Sequence, residues 1–313
     1  MSATRGRWSR FIDFCAVTED ATPLAITRIV LGATLALHLL RILATGETAT
    51  TLVHTSFGGL QEAASRSWAS PSIALALTAS TAAAATCVAL GLFTRPAVML
   101  TWLGMRLVSH IASGAQGGTD ALSIDLLVLL AWSGCGNTLS VDAWRRRRHM
   151  GTAADAPALR IVRLMVVVQL VMLYTLGGLQ KVSYGWVPGG DASALWFALH
   201  QPQWTRFDGL PPGWSYPFTQ MATTSAWLFE VMAPLMLVSV LGEIGDARGR
   251  IGRQLRRVEV RIAYLTFGFL MHVGIELLME VGPYLYVTCS MYSCVLGPPL
   301  CRRLLRRTDP IGP

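Results

Sequence analysis

The sequence predicts an all-α fold: a polytopic integral membrane bundle of about eight transmembrane helices with both termini cytoplasmic. Three observations carry that expectation. Of 313 residues, 52% are hydrophobic and only 14% are charged, against roughly 25% charged in an ordinary soluble domain. Apolar runs close to the ~20 residues a helix needs to cross a bilayer recur along the chain. The arginines gather in the short segments between those runs, where they act as topology signals. For the same reason the net charge of +8 does not read as nucleic-acid binding.

The candidate spans are residues 22–43, 71–93, 96–113, 121–137, 160–181, 217–241, 260–281 and 283–300, the fourth and eighth being short. The tight turn from Phe93 to Pro96 separates the second from the third. Gly282-Pro283 breaks the last two apart, because proline cannot continue a helix across that step. The organisation is therefore a cytoplasmic segment over 1–21, a transmembrane domain over 22–300 and a basic cytoplasmic tail over 301–313. No apolar core followed by a small-residue cleavage site precedes Pro23, so no removable signal peptide is expected. Ala82 to Ala85 form a small-residue patch suited to close helix packing.

With the N-terminus inside, twenty arginines fall on the cytoplasmic side, including Arg95, the run Arg145 to Arg148, and Arg302 and Arg303. Only Arg66 and Arg206 fall opposite, while Arg28, Arg41 and Arg106 lie within spans. Such a bias sets orientation and favours an even number of helices. It puts the end of the fifth span on the outer side. The following outer segment, Val182 to Tyr216, holds Tyr184, Trp186, Trp196, Trp204 and Trp214, aromatics that suit the membrane interface. A short interfacial helix is expected within Asp191 to His200.

Lys181 is the only lysine; every other basic side chain apart from histidine is arginine. It ends the fifth span. Arginine does not lose its proton in a protein, whereas a desolvated lysine can. The bland alternative is a lysine that snorkels to the head groups from a helix end. Gly177-Gly178 permits close approach of another helix or a ligand there.

Ionisable residues within spans are costly and mark either function or a paired structural role. Arg28 can bind an anionic substrate group or pair with an acid, with Asp125 and Glu230 as its possible partners. Glu230 stands four residues before Pro234, beside a loosened turn. His272, Glu276 and Glu280 share one helix face at four-residue spacing, a stripe able to hold or relay protons. No second histidine completes a zinc pattern, and no metal site is expected. His38 and His110 read as structural. The six cysteines form no CxxC pair and read as small buried hydrophobes.

Several segments together resemble the horizontally transferred transmembrane domain (HTTM) family, whose members include the vitamin K-dependent gamma-carboxylases. Pro23 to Gly32, with Arg28, is similar to the family's opening arginine-glycine helix. Leu139-Ser140-Val-Asp142-Ala-Trp144 is similar to its turn after the fourth helix. Tyr174-Thr-Leu-Gly177-Gly-Leu-Gln180-Lys181-Val, followed by Trp186 and Gly189, resembles the carboxylase segment that ends in two lysines. Lys181 matches the second of these, which the resemblance implies is the base that deprotonates vitamin K hydroquinone; Gln180 replaces the first. His272 to Tyr284 resembles the late histidine helix, and Glu230 falls where the family has an acid. The carboxylases also carry a histidine near the outer start of the fourth helix, whereas Gly117 to Leu122 holds none, which argues against authentic protein carboxylation. In size the chain is similar to the compact bacterial branch associated with maturation of sporulation-delaying antimicrobial peptides.

The resemblance implies an outer pocket in a bacterial plasma membrane protein, with Lys181, His272 and Glu230 as catalytic candidates. Arg28, Asp125, Tyr184, Trp186 and Glu276 are candidates for substrate binding. It implies a quinone as possible cofactor, and membrane lipid and a small secreted peptide or maturation protein as partners. A non-catalytic accessory in peptide maturation or export, and a small transporter, are the alternatives from other classes.

Overall fold

The computed structural model describes residues 7–48, 70–111, 117–150, 156–207, 211–244 and 258–307. Most of the outer segment expected between the first two spans lies outside them, as do Arg5, Arg66, Arg248, Arg250, Arg253, Arg256 and Arg257. The architecture is all-α apart from a two-residue strand pair. The chain divides into two compact units, Met1–Val166 with Gly297–Pro313, and Val167–Leu296.

The first unit holds α1 (Arg7–Cys15), β1 (Thr18–Glu19), α2 (Thr22–Thr45), α3 (Pro71–Leu90), α4 (Thr94–Ile111), α5 (Gly118–Trp132), α6 (Val141–Met150), β2 (Ala158–Leu159), the start of α7 (Arg160–Gln180) and, from the chain's end, the last helix, Pro298–Arg307. β1 and β2 pair antiparallel, Thr18 opposite Leu159. Helix ends follow local chemistry. Pro23 and Pro71 sit in the first turns of α2 and α3, where a missing N–H costs nothing. Ser70 caps α3 by accepting the Ile73 N–H at 3.3 Å. Gly91, at φ +67°, closes α3 in the left-handed conformation. Helices α2, α3, α4 and α5 pack in sequence order. Gly32 makes the first of these contacts possible, because a Cβ there would lie 2.6 Å from the Ala89 nitrogen.

The second unit holds the rest of α7, α8 (Ala194–Leu199), α9 (Tyr216–Val231), α10 (Pro234–Ile244), α11 (Val258–Leu278), α12 (Tyr284–Ser290) and α13 (Tyr292–Leu296); the last helix of the chain, Pro298–Arg307, is α14. The sixth expected span bends by 42° between α9 and α10. Pro234 has no N–H to offer the Glu230 carbonyl, which accepts from Ala233 at 3.2 Å instead. The interfacial helix expected between Asp191 and His200 is α8.

Among the described residues, four helices are long and apolar enough to cross a membrane, or five if the bent α9–α10 pair counts as one span, against the eight expected. α5 stops at Trp132, where Ser133 Oγ and Cys135 Sγ both donate back to the Leu130 carbonyl and the Cys135 N–H donates to Ser133 Oγ. The eighth run is cut at Met291 and again at Gly297, which takes φ +78°.

Candidate functional site

Three residue clusters deserve weight, and two of them lie in the second unit. At the end of α7, Lys181 Nζ donates to both carboxylate oxygens of Glu230 on α9, at 2.5 and 2.6 Å. The same ammonium stands 4.7 Å from the ring centroid of Trp186. The glycine pair explains the approach. A Cβ on Gly178 would lie 3.0 Å from Glu230 Cβ and from the Val231 backbone nitrogen, so only glycine admits α9 there without adjustment. A Cβ on Gly177 would lie 3.8 Å from the Glu230 carboxylate, an ordinary contact. The Glu230 side chain is nearly buried, while that of Lys181 keeps 27% of its surface exposed. The amine is thus anchored to Glu230 beside an indole face, while the lysine side chain as a whole stays partly exposed.

The second cluster is aromatic. Tyr174 Oη is hydrogen-bonded to His272 Nε2 at 2.8 Å and to Tyr292 Oη at 2.9 Å, joining α7, α11 and α13. All three are buried. His272 Nδ1 is buried without a hydrogen-bond partner among the described residues. The neighbour of Glu230 links the two clusters: the Phe229 ring packs edge-on against Tyr174 at 4.9 Å and stacks on Tyr264 at 4.3 Å. Gly268 leaves room for them, since a Cβ there would lie 2.6 Å from both the Phe229 ring and Tyr292 Oη.

One turn above His272, Glu276 accepts from Arg206 Nη2 at 3.3 Å, and Arg206 Nε lies 3.2 Å from Glu280. The two acids expected with His272 on one helix are thus bridged by Arg206 of the Val182–Tyr216 segment, but α11 ends at Leu278 and Glu280 lies beyond it. Tyr184 is exposed. A cavity of about 410 Å³ opens nearby in the same unit, lined by apolar residues including Leu195, Leu199, Phe218 and Leu278. None of Lys181, Glu230 and His272 lines it.

The third cluster belongs to the first unit. Arg28 is fully buried and donates to four carbonyls: Val88 at 2.5 Å, Ala89 at 3.0 Å, Cys135 at 3.2 Å and Leu139 at 2.5 Å. These carbonyls end α3 and form the α5–α6 turn, where the helix ladder leaves acceptors without partners. Among the described residues no acid pairs with Arg28, one of the two roles expected for it. Asp125 is exposed on α5, and Glu230 is held by Lys181. Gly91 packs against this guanidinium, 2.7 Å from a Cβ it does not carry.

Sequence reasoning passed over Tyr174, Tyr292 and Arg206. Tyr174 opens the motif that ends in Lys181, so its position was visible but its partners were not. Tyr292 carries no local signal.

Among the described residues no group of three or more His, Cys, Asp or Glu side chains could hold a metal. Neither the curated proteins nor the solved structures contain a match to the chain. The HTTM domain matches residues 17–296, nearly the whole sequence and every segment that builds these clusters. A helical membrane protein with this match across its length belongs to the HTTM family, which is related to the vitamin K-dependent carboxylases.

Proposed function

We propose that this HTTM protein acts on a lipid-soluble quinol or a secreted peptide at the extracytoplasmic face of a bacterial plasma membrane, with Lys181 as general base. The observation that supports it is the amine's setting: two contacts to Glu230, an indole face opposite, and an exposed remainder. The arginine distribution supports an even number of spans with both termini cytoplasmic, which turns the Lys181 end of α7 outward.

The residues fit a hydroquinone to this extent: a flat ring can lie along Trp186 and reach the open side of Lys181. Such a molecule supplies, when bound, a phenolic proton and the electrons of its own oxidation. The chain's part is proton handling. Passing one proton from Lys181 Nζ to Glu230 Oε1 converts the ion pair into a neutral amine and a carboxylic acid, without net change in charge. The amine lone pair then accepts a substrate proton. Tyr174 and His272 hold α7 and α11 in register behind it.

The two short contacts from one ammonium also favour a second reading, in which the pair straps α7 to α9 in a non-catalytic accessory of peptide maturation. Lys181→Arg separates the two, because arginine keeps the charge but does not act as a base. Purified full-length protein is incubated with reduced menaquinone and dioxygen as the oxidant, and hydroquinone loss above the protein-free rate is followed by chromatography. Wild type is expected to turn over, and the variant to lose at least about a hundredfold at normal membrane levels. Turnover retained by Lys181→Arg overturns the base assignment.

A further inference from the structure

The first unit carries a surface that proton handling leaves unused. Phe93 in the α3–α4 turn, Trp132 at the end of α5 and Trp144 on α6 are exposed by 63%, 68% and 57%. Phe93 takes φ +46°, which throws its ring outward from the turn. Each ring carries a guanidinium on its face. Arg145 lies 5.7 Å from Phe93, Arg95 lies 5.2 Å from Trp132, and Arg148 lies 5.5 Å from Trp144.

Hydrogen bonds join the Phe93 and Trp144 pairs, and Arg95 follows Phe93 by two residues. The Phe93 N–H donates to Asp142 Oδ1 at 3.0 Å, and the Asp142 N–H donates to the Gly91 carbonyl at 3.0 Å, which fixes α6 beside the α3–α4 turn. Asp142 does not neutralise the arginines, because its carboxylate is already engaged by the Phe93 and Thr94 N–H groups and the Thr94 hydroxyl. Among the described residues no salt bridge joins Arg95, Arg145 or Arg148 to an acid. Among the described residues the patch therefore presents positive charge with no acid bridged to it, together with aromatic rings more than half exposed.

Those two properties select a partner. Indole and phenyl rings favour the head-group layer of a bilayer. A guanidinium held over such a ring has donors left for a phosphate, which its planar fork matches. A soluble anion would satisfy the charge and leave the rings in water. We propose that this patch seats the phosphodiester headgroup of an anionic phospholipid, with Arg95, Arg145 and Arg148 on the phosphate and Phe93, Trp132 and Trp144 at the acyl boundary.

The test uses delipidated full-length protein in neutral detergent, titrated with phosphatidylglycerol or phosphatidylcholine, with bound lipid counted by native mass spectrometry. Phosphatidylglycerol is expected to bind in preference. Arg145→Gln with Arg148→Gln is expected to weaken it about 25-fold, about fivefold for each arginine. Arg302→Gln with Arg303→Gln removes the same charge from α14 and is expected to leave the affinity unchanged. If the first pair does not purify as a monodisperse protein, Trp144→Ala with Arg148→Lys reads the same seat with less loss of charge, and a weakening is expected there too. Equal binding of the two lipids, equal losses in both double variants, unchanged affinity in the patch variants, or displacement of the lipid by equimolar inorganic phosphate would overturn the proposal.

Discussion

Lys181 Nζ and Glu230 are joined through both carboxylate oxygens, across forty-nine residues of sequence, at the point where α7 ends and α9 is about to bend. The bend and the ion pair have one origin in the chain. Pro234 frees the Glu230 carbonyl from the regular ladder, and Gly178 leaves room for the same residue's Cβ, which would lie only 3.0 Å from a side-chain Cβ at that position.

Removing one partner of this ion pair is expected to cost more than removing both. Glu230→Gln leaves an ammonium without its counter-charge in a largely apolar setting, at about 2 kcal/mol after allowance for the exposed side of Lys181. Lys181→Met with Glu230→Leu is expected to recover most of that. Thermal unfolding of wild type, Lys181→Met, Glu230→Leu and the double variant in one detergent gives the coupling; additive losses would show that the two residues do not interact.

Gly178→Ala and Gly177→Ala are expected to behave differently despite being neighbours. At Gly178 a methyl group meets the α9 backbone, an overpacking worth about 1–3 kcal/mol. At Gly177 the nearest atom is 3.8 Å away, an ordinary contact, and the change is expected to be close to neutral. Melting temperatures measured side by side decide it.

Tyr174→Phe deletes one hydroxyl and strands two buried groups, His272 Nε2 and Tyr292 Oη. A loss of about 1–3 kcal/mol is expected from the unmet polar groups. Tyr292→Phe leaves the Tyr174–His272 bond intact and is expected to cost less. The ranking of the two in thermal unfolding is the check.

Arg28→Lys keeps the charge and loses the fold. One ammonium cannot reach carbonyls at Val88, Ala89, Cys135 and Leu139 together, and each buried acceptor left bare costs about 1–3 kcal/mol. Little monodisperse protein is expected by size-exclusion chromatography. A normal yield would show that this knot is not structural.

Asp142 gives a pH dependence. Burial alone would raise its pKa, but the hydrogen bonds from Thr94 and Phe93, with Arg146 nearby, outweigh it and hold the carboxyl below its ordinary value. A folded value below the unfolded value of about 4 means that the stabilisation is complete above pH 4 and is lost as pH falls through the folded value. The difference in melting temperature between wild type and Asp142→Asn is therefore expected to be constant from about pH 5 to 8 and to shrink below about pH 4. A difference that grows on acidification would contradict the assigned hydrogen bonds.

The sequence by itself determined the membrane character, the helix boundaries at Pro23, Pro71 and Gly282, and the close approach allowed by Gly177-Gly178. These are properties of consecutive residues: apolar length, a missing N–H, or a left-handed backbone. It also singled out Lys181, because a lone amine among arginines is a compositional fact. What only the tertiary structure decided is which groups meet. Arg28 looked for an acid and found carbonyls, since the acceptors exposed at helix ends belong to the backbone and carry no mark of residue type. Tyr174 and Tyr292, 118 residues apart, meet only because three helices pack together. Whether an apolar run becomes one straight helix or two bent pieces likewise depends on the contacts that replace the lost hydrogen bonds, and those partners lie elsewhere in the chain.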